Sequence, residues 1–152
     1  MKTMRLIGIA TLGSLVLMGS VYFFQHVLGY APCKMCLWQR WPHAVAIGIG
    51  IIALALRDAR LAIFGALAAL TTSAIGFYHA GVEQKWWEGP TTCTSSGTQG
   101  VSAEDLLSQI LAAPIARCDE IAWDFIGVSM AGWNGIISLF LAVIWIVAFV
   151  RR

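Results

Sequence analysis

The sequence predicts an all-α integral membrane protein, a four-transmembrane-helix bundle formed by one domain spanning residues 1–152. Three observations carry this. The chain is 59% hydrophobic and only 12% charged, whereas ordinary soluble domains carry about 25% charged residues. Four apolar stretches, at 6–24, 37–56, 61–80 and 133–150, each come close to the ~20 residues that cross a ~30 Å hydrocarbon core as a helix. The basic residues cluster where the stretches meet one side of such a bundle. A soluble chain of this size could not hide so much apolar surface, so lipid is the expected surrounding. The net charge of +2 says little by itself, and no nucleic-acid partner is expected.

The first stretch follows Lys2 and Arg5, as a signal peptide would. Its apolar run is long for that role and no A-x-A cleavage site follows, so it is assigned as a span. The second and third stretches contain Gly48, Gly50, Gly65, Thr71 and Thr72. In lipid these do not veto a helix, because small residues allow close helix contact and hydroxyls bond across the interface. Pro42 bears on where the second helix starts. Proline fits a first helical turn but breaks an interior bond, which places the start near Trp41. No internal repeat or low-complexity tract is present.

Orientation follows from the charges. Lys2 and Arg5, then Arg57 and Arg60 of the tight "RDAR" turn, then Arg151 and Arg152 share one side of a four-span chain, offset only by Asp58. The positive-inside rule makes that side cytoplasmic, with both termini on it. The other side carries most of the acidic residues and an interfacial group of tryptophans, Trp38, Trp41, Trp86, Trp87, Trp123 and Trp133. It holds two outer segments, 25–36 and 81–132, and with them Cys33, Cys36, Cys93 and Cys118. An even number of cysteines on an oxidising side reads as disulfides. In the longer segment Ser102 can cap a helix with Asp105 three residues on, and Leu106, Leu107, Ile110, Leu111 and Ile115 follow at helical spacing. This predicts a short amphipathic helix, lying on the bilayer or on the protein's own outer face.

Cys33 and Cys36 form a CxxC at the mouth of the second span. The motif alone is a redox dithiol or half of a zinc site. A helix N-terminus favours the thiolate through its dipole and free N–H groups. Arg40 is either a snorkelling anchor or, beside a dithiol at the lip of the bilayer, a planar donor for a lipid-soluble acceptor with carbonyl oxygens, such as a quinone. Whether Cys36 and Arg40 share a helical face stays open because of Pro42. Cys93 and Cys118, read alone, point first to a static staple and only second to a bridge that relays electrons. His26, His43 and His79 map near the outer interface, for packing, proton transfer or a metal. No metal is expected, because oxidising surroundings favour S–S bonds over thiolate ligation.

The segments "PCKMCLWQRWPH", "YHAGVEQKWWEGPTTC" and "RCDEIAWDFIGVSMAGWN", together with the four spans, resemble the bacterial disulfide bond formation protein B family, DsbB, over nearly the whole chain. The resemblance implies a bacterial inner-membrane enzyme with periplasmic cysteines. It would reoxidise a DsbA-like thioredoxin-fold thiol oxidase and reduce the respiratory quinone pool, ubiquinone or menaquinone; this chain of transfers keeps the periplasm oxidising. It further implies that Cys93 exchanges with the partner and pairs with Cys118, and that Cys33 and Cys36 are the quinone-linked pair with Cys36 facing the ring. Arg40 and His79 align with quinone-associated residues. Gln39 stands where some members carry an acidic residue, so a proton role is not carried over to it. Two other readings are a quinone reductase of the vitamin K epoxide reductase type, whose CxxC lies late in the bundle, and a non-enzymatic membrane protein with structural disulfides or zinc.

Overall fold

The computed structural model describes residues 2–90 and 116–152. Cys93 and the amphipathic helix expected after Ser102 lie outside the described residues. Among the described residues, four helices are long and apolar enough to cross a membrane. These are α1 (Lys2–His26), α2 (Lys34–Leu56), α3 (Ala62–Glu83, preceded by a 3-10 turn at Ala59–Leu61) and α4 (Met130–Val150). Each contains its predicted apolar stretch almost entirely, and the helices run a few residues further at most ends.

The start of α2 differs from the sequence expectation. The helix begins at Lys34, and Pro42 lies inside it. Cys33 is the N-cap, and its sulfur accepts from the Cys36 N–H at 3.1 Å. That capping bond secures the first turn ahead of the proline. A transmembrane helix tolerates the bond lost at Pro42 because neighbouring helices can satisfy the freed groups. Cys36 and Arg40 are therefore one turn apart on the same face.

The bundle is packed from small residues. Its core gathers Ala10, Ala53, Ala62, Ala66, Ala69, Ala142 and Ala148 around Ile7 and Trp145. Large apolar side chains such as Leu12, Val16, Phe64, Leu67 and Phe140 point outward and are more than half exposed. Burying Leu against protein gains little when lipid is equally apolar, so close backbone approach decides the interior. The extensive α3–α4 interface shows this. A Cβ on Gly76 would lie 2.8 Å from the Gly135 nitrogen, and Ser73 Oγ donates across the same contact to the Gly135 carbonyl at 2.8 Å.

The connections divide into two ends. At the arginine end, Arg57 caps α2 in the left-handed region (φ 54°), and Asp58 Oδ1 accepts from the Arg60 N–H at 2.9 Å. At the cysteine end, α3 stops in a Schellman turn. Lys85 takes the left-handed position (φ 61°), and the Lys85 and Trp86 N–H groups bond the Val82 and Gly81 carbonyls. A two-stranded hairpin, β1 (Asp124–Phe125) and β2 (Val128–Ser129), leads directly into α4. Ile126 and Gly127 both have positive φ, 55° and 74°, the signature of a type I′ turn.

Candidate active site at the cysteine end of the bundle

Cys33 and Cys36 are free thiols, and their sulfurs lie 2.7 Å apart at the mouth of α2. The hydrogen bond to Cys36, together with burial, pushes the Cys33 thiol up from its ordinary range. These effects outweigh the backbone N–H groups at the helix start, which pull the other way.

Cys118 is fully buried and disulfide-bonded. Its segment, residues 116–123, folds back over the end of α3. Lys85 Nζ donates to Asp119 Oδ2 at 2.7 Å, and Arg117 holds both Asp119 oxygens at 3.0 and 2.8 Å. Arg117 and Lys85 together keep the Asp119 carboxyl well below the usual carboxylate range. The Cys118 carbonyl also accepts a hydrogen bond from the His79 ring. These contacts bring a donor atom from each of Cys33, His79 and Cys118 within 4.8 Å of one another, all buried. The trio resembles a metal-binding set in spacing. With Cys118 already in a disulfide, its sulfur is not available as a thiolate ligand.

A cavity of about 220 Å³ opens beside the thiols. Leu17, Met18, Val21 and Phe24 of α1 give it an apolar wall; Cys36, Arg40, His43 and Glu83 stand opposite. Several of the polar groups that line it have atoms with no partner among the described residues: Arg40 Nε, His43 Nδ1, Glu83 Oε2 and Gln25 Oε1. Buried polar atoms are ordinarily bonded, so their convergence on one cavity marks room for a polar, partly apolar molecule. The Arg40 guanidinium also lies over the Tyr22 ring, 5.1 Å from its centroid. The Arg40 side chain is partly buried in this placement.

The sequence-predicted residues Cys33, Cys36, Arg40, His79 and Cys118 thus come together, while Cys93 lies outside the described residues. His26 does not join them; it is exposed and stacks on Tyr22. Sequence reasoning missed a second group. Gln39, Thr72, Asn134 and Ser138 bond one another and His43 in the interior between α2, α3 and α4. Glu83 was also missed: its carboxylate takes a hydrogen bond from Ser129 and lies 3.9 Å from His79 Nε2. A signal for them existed. Polar residues within or beside apolar stretches are expensive in lipid and mark function by default.

Comparison with known proteins gives the family of the chain. The family model described as disulfide bond formation protein DsbB matches residues 3–148. Disulfide bond formation protein B of Albidiferax ferrireducens is 30% identical over 159 aligned positions, covering 93% of this chain and 87% of the relative. Disulfide bond formation protein B 2 of Pseudomonas aeruginosa is 29% identical, covering 90% and 83%. The Polaromonas protein of the same description is 27% identical, covering 97% and 90%. No solved structure matches the chain.

Proposed function

This chain belongs to the DsbB family of disulfide bond formation proteins, and within that family we propose that it is a thiol:quinone oxidoreductase. It takes two electrons from a DsbA-like periplasmic dithiol and passes them to membrane quinone. The observation that carries the reading is that Cys118 and Cys33 approach within 4.8 Å. A disulfide and a dithiol at that distance are within reach of exchange by thiolate attack.

A partner thiolate attacks Cys93 of a Cys93–Cys118 disulfide, and Cys118 leaves as thiolate. The partner's second thiolate then displaces Cys93 and closes the partner's own disulfide. The Cys118 thiolate attacks Cys33 of an oxidised Cys33–Cys36 pair, and Cys36 leaves. The Cys93 thiolate displaces Cys33 and restores the loop disulfide. The end state has two reduced thiols at Cys33 and Cys36, which hold the two electrons, and a restored Cys93–Cys118 disulfide.

The cavity fits a quinone headgroup on two grounds. It has an apolar wall from α1 and, opposite, the unpartnered buried donor Arg40 Nε. Arg40 and the His79 side would hold the ring beside Cys36, and a bound quinone supplies an acceptor for two electrons and two protons. The wall of α1 keeps bulk water from the thiols, while the Arg40 charge favours anionic character in its vicinity.

Trapping tests the order. Cys118→Ser should accumulate a covalent complex through Cys93 with a partner lacking its second cysteine. Cys33→Ser and Cys36→Ser should abolish quinone reduction. A partner trapped on Cys33, with Cys93 and Cys118 dispensable for turnover, would return the loop bridge to the role of a static staple.

A further inference from the structure

The polar chain behind the thiols has a direction. The Met35 carbonyl can only accept, and it lies 3.2 Å from Gln39 Nε2, which fixes the amide's orientation. The same nitrogen lies 3.0 Å from His79 Nδ1. An amide nitrogen only donates, so Nδ1 is the acceptor and the ring proton sits on Nε2. Gln39 Oε1 accepts from Asn134 Nδ2 at 2.7 Å. Asn134 Oδ1 then faces His43 Nε2 at 3.0 Å and the Ser138 hydroxyl at 3.3 Å, so both donate to it. Thr72 closes the frame: it accepts from Asn134 Nδ2 at 3.2 Å and donates to the Gln39 carbonyl at 3.1 Å. Read in order, His43 donates to Asn134, Asn134 to Gln39, and Gln39 to His79. His79 Nε2 lies 3.6 Å from Cys33 Sγ, and Cys33 Sγ contacts Cys36 Sγ at 2.7 Å. Each bond of this series, from His43 to Cys33, points toward the dithiol.

We propose that Gln39 and Asn134 are positioning residues that lock His79 as the Nε2–H tautomer, so that it presents a donor to Cys33 and the Cys118 carbonyl. The proposal rests on the relay reading for its purpose, since the cysteine to be stabilised as thiolate is the one leaving or attacking in the exchange. Its structural content is independent of that reading. His79 in this state cannot act as a base toward Cys33 through Nε2, because that nitrogen already carries the proton. Its part is to hold negative charge on sulfur and to tie the Cys118 segment to α3. Buried, the directed bonds reinforce one another. Gln39, His43 and His79 are 6%, 4% and 2% exposed, so water is poorly placed to substitute for a lost member.

The test is ¹⁵N NMR of the full-length protein in lipid nanodiscs with ring-labelled histidine, assigned by single His26→Gln and His43→Gln variants. The wild type should show His79 protonated at Nε2 and bare at Nδ1. Gln39→Glu replaces the donor facing Nδ1 by an acceptor, so Nδ1 should become protonated. Asn134→Leu removes the bond that orients Gln39 Oε1 and should give a mixture of tautomers. Both variants should lower quinone-dependent turnover about 10-fold, the scale of one unsatisfied buried group, with the KM for the dithiol partner unchanged. A wild-type His79 protonated at Nδ1, or a tautomer indifferent to both substitutions, would overturn the proposal. Either NMR result stands whether or not quinone proves to be the acceptor, so failure here is distinguishable from failure of the relay. Should Gln39→Glu fail to fold, the wild-type spectrum and Asn134→Leu still decide.

Discussion

Single residues set the chemistry at the bundle mouth, and Arg40 is the clearest case. Its Nε is buried beside the thiols without a partner among the described residues, and its plane rests on Tyr22. Lysine retains the charge but has neither the fork nor an Nε. Arg40→Lys should therefore raise the apparent KM for quinone about 10-fold, with the partner's KM little changed. Steady-state kinetics with each substrate varied in turn checks this; an unchanged quinone KM would leave Arg40 as a membrane anchor. Asp119 works differently. Lys85 and Arg117 hold its carboxyl below the ordinary range, so the sign is that of a depressed acid. Its tether is fully present above the unfolded carboxylate pKa of about 4 and is lost only as pH falls through the lower folded value. Lys85 and Arg117 are solvent-exposed, so the tether's contribution to global stability is small. Its local effect is to hold Cys118 beside His79. Hydrogen exchange at residues 116–123 should stay slow from neutral pH down to about pH 4 and quicken in Asp119→Asn at every pH in that range.

Helices and turns carry their own requirements. The α3–α4 contact leaves no space at Gly76, where a Cβ would meet the Gly135 backbone at 2.8 Å. Backbone cannot move aside as a flexible side chain can. Gly76→Val should destabilise the bundle by about 1–3 kcal/mol, read as a lower unfolding midpoint in detergent. It should also weaken the Ser73–Gly135 bond that lies on the same contact. The hairpin before α4 points the other way. Ile126 is β-branched, 79% exposed and held at φ 55°, a region that costs an L-residue about 1–2 kcal/mol. Ile126→Asn suits a type I′ turn and should raise stability by about 1 kcal/mol. A rise in stability accompanied by loss of partner turnover would show that Ile126 is kept for contact.

At the scale of the whole molecule, the two ends of the bundle divide the labour. Every described cysteine, and the cavity beside the thiols, lies at one end. The "RDAR" turn and both chain ends gather at the other, where Thr3 Oγ1 donates to the Arg151 carbonyl at 3.1 Å. On the positive-inside rule we propose that the arginine end faces the cytoplasm. An alkaline phosphatase fusion after Arg152 should be silent and one inserted after Gly89 active. Activity at Arg152 would invert the topology and move the thiols to the reducing side, where the relay could not run.

Much of this was written in the sequence because lipid imposes one strong rule. Backbone polar groups in hydrocarbon must bond within their own segment, so apolar length alone located the four spanning helices found among the described residues. The CxxC spacing likewise made Cys33 and Cys36 a candidate dithiol without reference to any other element. Local rules misled at Pro42, where the proline suggested a start near Trp41. A cap from Cys33 and packing in the bundle sustain the helix from Lys34 instead. Tertiary structure alone decided what surrounds the dithiol. Gln39, His79 and Asn134 lie 40 and 95 positions apart as pairs, and no periodicity links them. They meet because small residues let α2, α3 and α4 approach closely, and because a polar side chain inside such a bundle must find its partner on another helix.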